Sequence, residues 1–200
     1  MLDPLIETWA AGRVIVRCHG RKYHEGQFND TTHLRRFRPF TAEGSIVPTI
    51  YGAEDLDGAL AETLFHDVPV RGPDRRILRS QLEQWVWSEI APARDLQLVA
   101  LHGAGLRRLQ VKRAELIECE AAHYAETVPW ADALHDVSAR PDGLCWRSRQ
   151  HDDSLALMLF GTRVSESDLD VGRPAESLAL KPGGDAVYGF AEAANITIVT

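Results

Sequence analysis

The chain has 200 residues, 44% hydrophobic and 26% charged, which is enough for one domain with a real core and excludes a disordered or fibrous chain. Its net charge of −7 argues against a dedicated nucleic-acid binder, although 19 of the 22 basic residues are Arg, the side chain suited to gripping phosphate. Cys18, Cys119 and Cys145 show no metal-ligand spacing and read as free thiols of a reducing cytosol, and no apolar run approaches the roughly 20 residues of a membrane helix.

The N-terminus, MLDPLIETW, is acidic and amphipathic, unlike a signal peptide, so a cytoplasmic protein is expected. Asp3-Pro4 can open a short helix with Leu5, Ile6 and Trp9 on one face, and Gly12 stops it. Arg13 to Cys18 alternates as a strand, with Val14, Val16 and Cys18 on one face and Arg13, Ile15 and Arg17 on the other. An Arg inside a strand reads by default as an edge charge, and alternatively as the floor of a polar site. Residues 19–47 show no period and form a long irregular segment. Its densest positive patch, Arg35-Arg36-Phe37-Arg38, is either a solvated loop or a phosphate clamp.

Pro48 to Pro69, PTIYGAEDLDGALAETLFHDVP, reads as a strand (Thr49, Ile50, Tyr51), a turn at Gly52 and a helix capped near Glu54-Asp55. Leu56, Leu60 and Leu64 fall on one helical face, and Glu62 lies off it, on the side of Gly58 and Phe65. On this helix alone such a carboxylate reads as a solvated surface group. Gly72-Pro73 marks a turn, and Arg71, Arg75, Arg76 and Arg79 a basic surface stretch. Leu82–Ile90 and Leu96–Leu101 read as strands, with Trp85 and Trp87 on one face as core residues. A short helix follows in GAGLRRLQ, which lacks the full dinucleotide fingerprint. Arg113–Cys119 and Glu120–His135 look helical, with Pro129 kinking or splitting the second. His123 and His135 lack ligand spacing and read as ordinary.

Asp142 to Arg163, DGLCWRSRQHDDSLALMLFGTR, reads as a hairpin. Leu144, Trp146 and Ser148 alternate with Cys145, Arg147 and Arg149, Gln150–Asp153 turns, and Ser154–Phe160 is apolar enough for a buried central strand. A lone Ser at a strand end reads locally as a turn residue, and no nucleophile elbow is present. Gly183-Gly184 is expected in a turn and Asn195–Thr200 as a last strand.

Arg17 in the first strand, RRF at 35–37, TIYGAEDLDGALAETLFHD at 49–67 and DGLCWRSRQ at 142–150 together resemble the RES domain family, the toxins of bacterial RES–Xre toxin–antitoxin pairs. The resemblance runs over about residues 12 to 165, and departs from it in carrying RRF where a Gly-Arg-Trp type segment is common. It implies an α+β, ADP-ribosyltransferase-like fold, with a split mixed/antiparallel β core flanked by helices in a single domain over 1–200. It implies NAD+ as substrate, broken at the nicotinamide–ribose bond, with no metal.

Carried over residue by residue, the family Arg is Arg17, chosen over Arg13 because it closes the strand, the Glu is Glu62 and the Ser is Ser148. Tyr51 matches the aromatic before the helix, and Arg36 the second basic residue of the pocket. Glu62 would stabilise an oxocarbenium-like ribose, Arg17 and Arg36 would clamp the pyrophosphate, and Tyr51 would stack on nicotinamide or the ribose face. Ser148 would hydrogen-bond the ribose or orient Glu62. The expected activity is NAD+ phosphorolysis or hydrolysis, causing growth arrest, with mono-ADP-ribosylation of a host protein as the alternative. The expected partners are an Xre-like antitoxin in an oligomeric complex, NAD+ and inorganic phosphate, without direct nucleic-acid or membrane contact. A binding module with a dead site is disfavoured by the intact Arg17, Tyr51, Glu62 and Ser148.

Overall fold

The computed structural model describes residues 2–31, 36–37, 39–42, 44–119 and 123–200. Strands β1 (Ile6–Trp9), β2 (Ile15–Gly20), β5 (Thr49–Ala53), β7 (Trp85–Pro92), β8 (Leu96–Ala100), β9 (Gly143–Arg147), β10 (Leu155–Phe160) and β11 (Leu169–Ser177) form one sheet. The order is β1-β8-β9-β10-β5-β2-β7-β11, parallel only at β8–β9. Two small pairs lie outside it: β3 (Phe40–Ala42) with β4 (Ser45–Val47), and β6 (Arg76–Leu78) with β12 (Thr197–Val199). The helices are α1 (Leu56–Ala61), α2 (Arg79–Leu82), α3 (Gly103–Arg108), α4 (Arg113–Leu116), α5 (Tyr124–His135) and α6 (Gly183–Ala193).

β10 sits mid-sheet, and its two faces explain its near-continuous apolar sequence. Ala156, Met158 and Phe160 enter a core with Phe37, Val99, Leu106, Leu134 and Trp146. Leu157 and Leu159 face a second core with Trp9, Ile15, Ile50, Ile90 and Cys145. A third core packs Leu60 and Phe65 with Val187 of α6 against Val16, Cys18 and Trp87.

The sheet is nearly split between β2 and β5, which share a single registered pair, Val16↔Ala53. Beyond that pair Asn29 bridges Thr49, and Arg17 Nε donates to the Tyr51 carbonyl at 3.1 Å, so both groups occupy the edge of β5 that a continuing β2 would fill. Gly52 lies at this closest approach: a Cβ there would come within 2.3 Å of Ile15 Cγ2 and 3.0 Å of the Val16 carbonyl. The mixed α+β architecture with a split core is therefore present.

Several expectations are corrected. Residues 6–9 are strand, not helix: β1 pairs with β8 from Ile6↔Val99 to Trp9↔Leu96, and this ladder decides a stretch too short for its periodicity to be decisive. The helix after Asp55 stops at Ala61, because Thr63 Oγ1 takes the Ala59 carbonyl and the Phe65 amide takes that of Leu60, which curls the chain. Phe65 is then fully buried in the core, and Leu64 is only partly buried against it. Leu82 ends α2, and the strand begins at Trp85. Gly183-Gly184 starts α6 rather than a turn. Gly183 lies so close to Trp87 that an added Cβ would meet the indole nitrogen at 2.9 Å. α5 runs through Pro129 unsplit. No helix among the described residues is long and apolar enough to cross a membrane.

Candidate active site

Asp55 caps α1 by accepting from the Gly58 amide at 2.7 Å, which fixes the helix start immediately after β5. Glu62 is the C-cap residue of this short helix, so its side chain leaves the helix where the chain turns. Its carboxylate, 11% exposed, accepts from three directions. The Arg149 amide reaches Oε1 at 3.2 Å, the Trp146 indole N–H reaches Oε2 at 3.4 Å, and Arg36 Nη1 reaches Oε2 at 3.5 Å. The reading of Glu62 as a solvated surface group does not hold.

Glu62 opens onto a cavity of ≈540 Å³ whose walls include Arg17, Arg36, Tyr51, His66 and Tyr124. Four of the five expected site residues, Arg17, Arg36, Tyr51 and Glu62, line it. Ser148 does not: it is fully buried behind the wall, and its hydroxyl has no hydrogen-bond partner among the described residues. Its neighbours do the holding. The Arg149 amide binds Glu62, the Arg149 guanidinium donates to the carbonyls of His66 and Cys119, and Gln150 donates to those of His66 and Val68. The WRSRQ stretch thus ties down the turn that carries Glu62. Of the basic cluster at 35–38, Arg35 and Arg38 lie outside the described residues.

Arg17 is buried in the interior of the sheet, so it is the floor of a polar site and not an edge charge. Besides the Tyr51 carbonyl, its guanidinium donates to those of Glu25 and Gln27, pinning the loop that borders the cavity. Burial lowers its pKa to about 10, still well above neutrality. Arg13, by contrast, stacks on Trp9 and pairs with Glu54, away from the cavity. Tyr51 donates its hydroxyl to the Arg36 carbonyl at 2.5 Å and meets Trp146 edge-on. Trp87 is core as expected, whereas the half-buried Trp85 also lines the cavity.

Sequence reading assigned no role to His66, Tyr124 or His19. His66 Nε2 lies 3.4 Å from Arg36 Nη2 and 3.0 Å from the Tyr124 hydroxyl. A guanidinium can only donate, so Nε2 carries the lone pair and Nδ1 the proton, which is shared with Asp67 at 2.8 Å. Burial lowers the His66 pKa and keeps this neutral tautomer. His66 therefore backs Arg36 against Glu62. Its one sequence signal is its position four residues after Glu62; Tyr124, from a distant helix, gives none. His19 Nε2 meets Ser88 Oγ at 3.0 Å, and burial depresses its pKa to about 4.

A cavity of this size with a fixed carboxylate, two buried guanidiniums and aromatic walls can hold a charged, ring-bearing small molecule and stabilise developing positive charge on it. The RES domain family model matches residues 14–180, and the chain belongs to that family. Among solved structures, a chain of the crystal structure of the M. tuberculosis MbcT–MbcA toxin–antitoxin complex is similar in fold. The two align with a TM-score of 0.63 at 15% identity, over 94% of this chain and 92% of that one. No curated protein matches the sequence.

Proposed function

We propose that this protein is the toxin of a toxin–antitoxin pair, and that it consumes NAD+ by breaking the nicotinamide–ribose bond. The observation that carries this reading is the Glu62 carboxylate, held by three N–H donors at the wall of a ≈540 Å³ cavity that Arg17 and Arg36 also line. A carboxylate has about four acceptor positions, so three donors leave room for one ribose hydroxyl. As the C–N bond breaks, its electron pair neutralises the pyridinium nitrogen and positive charge builds on the ribose, where the fixed anion stabilises it. Three of the five Arg17 N–H groups are committed to carbonyls, leaving two for a pyrophosphate oxygen. Arg36 has N–H groups left beyond its contacts to Glu62 and His66, and these meet the other phosphate while the ion pair stays in place. An acceptor oxygen, from phosphate or water, then attacks the ribose carbon, forming the new C–O bond and giving up its proton to solvent.

An Xre-like antitoxin that covers the cavity mouth would hold the activity in check, in keeping with the toxin–antitoxin complex that contains the similar fold. The test is NAD+ loss by purified protein with and without inorganic phosphate, alongside Glu62→Gln. Loss that needs phosphate and vanishes in the variant identifies a phosphorylase, and loss without phosphate a glycohydrolase. Labelling of protein by NAD+ in place of free product would shift the reading to mono-ADP-ribosyl transfer. Absence of both overturns it.

A further inference from the structure

On the face of β9 opposite Trp146, three metal-binding side chain types converge: Glu7, His102 and Cys145. Sheet register brings them there. β8 lies between β1 and β9, with Glu7 beside Leu98 and Cys145 beside Ala100. Leu98 and Ala100 are two residues apart and so share a face. His102 is two further on and still extended (φ −148°, ψ 165°), so it follows the same side. One carboxylate oxygen, one ring nitrogen and the sulfur lie within 4.8 Å of one another, with His102 Nε2 3.1 Å from Glu7 Oε2. His102 is the N-cap residue of α3 but makes no side-chain cap bond, so its ring is not otherwise engaged at the helix.

We propose that Glu7, His102 and Cys145 form a zinc site, with water as the fourth ligand. The donor set decides the metal class. A thiolate and an imidazole select Zn2+ over Mg2+ or Ca2+, which take oxygen ligands. Bond lengths of about 2.0–2.3 Å place tetrahedral donor atoms roughly 3.5 Å apart, so closure asks for shifts of about 1 Å in the half-buried Glu7 and His102 side chains. Cys145 is 2% exposed, its sulfur 3.6 Å from the Val99 carbonyl. It supplies the rigid corner. The charged groups near it are Glu7, Arg13 and Arg147. On binding, the thiol proton leaves to solvent, and thiolate plus carboxylate balance the ion. None of the three residues lines the Glu62 cavity, so the site is separate from the proposed reaction and ties β1, β8 and β9 together.

The test uses tag-free full-length protein dialysed against a chelator and titrated with Co2+ as a spectroscopic stand-in for Zn2+. The expected result is saturable one-to-one binding with a thiolate-to-cobalt charge-transfer band, reversed by Zn2+, and a raised melting temperature in Zn2+. Cys145→Ser, checked for fold by circular dichroism, should lose the band. Glu7→Gln and His102→Gln should each weaken binding by at least about tenfold, since even outer-shell partners of such ligands are worth that much. A wild-type protein that shows no band overturns the proposal, as does binding unaffected by all three substitutions. Neither outcome touches the NAD+ reading, which the activity assay decides.

Discussion

Removing Glu62 should destabilise this protein as well as silence it. A carboxylate placed for catalysis is often held at a cost to stability, so that its loss stabilises the fold. The geometry here gives the opposite sign. Arg36 and Glu62 are 4% and 11% exposed, with Nη1 to Oε2 at 3.5 Å. At an effective dielectric of about 20, unit charges that far apart attract by about 4–5 kcal/mol, before desolvation is set against it. Removing one partner of a buried pair costs about 3–5 kcal/mol. The cavity beside Glu62 lets water reach the orphaned Arg36 and Trp146 donors, which lowers the expected loss for Glu62→Ala to about 2 kcal/mol. The assay is urea unfolding of wild type, Glu62→Ala, Arg36→Met and the double variant at pH 7. Coupling between the two sites should be favourable by about 1–2 kcal/mol. A Glu62→Ala protein at least as stable as wild type, or a cycle with no coupling, would refute the view that the ion pair is part of the folded framework.

The buried neutral His19 makes stability fall in acid. Its folded pKa of about 4 lies below the ordinary value of 6.5, so the unfolded chain binds the extra proton first and stability drops as pH falls from about 6.5 toward 4. The His19 contribution is at most about 3 kcal/mol, and His19→Gln should flatten that part of the profile in urea unfolding at pH 7 and pH 5. Arg17→Lys keeps the charge but cannot reach the carbonyls of Tyr51, Glu25 and Gln27 together, so amides of residues 23–29 should exchange faster with deuterium while those of β10 stay protected. Unchanged exchange would remove the loop-pinning role. Gly52→Ala drives a methyl to within 2.3 Å of Ile15 Cγ2 and should cost about 1–3 kcal/mol in unfolding free energy. A neutral result would mean that β2 and β5 separate easily at the split.

Much of the site was legible in order along the chain, because local chemistry announces it. The alternation of RVIVRC, the Asp55 cap and the apolar run after Ser154 each follow from short-range rules, and each element forms near its expected place. The family motifs then supplied Arg17, Arg36, Tyr51 and Glu62 as a set, and those four line one cavity. Periodicity misled where several patterns fit the same short stretch. Residues 6–9 satisfy helix and strand alike until β8 offers a ladder, and the Leu56–Leu60–Leu64 stripe continues on paper past a helix that Thr63 ends.

What the sequence could not contain is the outcome of long-range contact. Burial made Arg17 a cavity floor, because β2 has β7 on one side and the splayed edge of β5 on the other. The Ser148 hydroxyl ended behind the wall, while the amide of the next residue reached Glu62 across 87 positions of chain. His66 acquired a fixed tautomer only because Tyr124 and Arg36 arrived at its Nε2 from other segments. Local propensity and patterning are properties of a few neighbouring residues, and the sequence by itself determines those. Desolvation, charge pairing and tautomer depend on which distant groups close around a side chain, and only the folded sheet decides that.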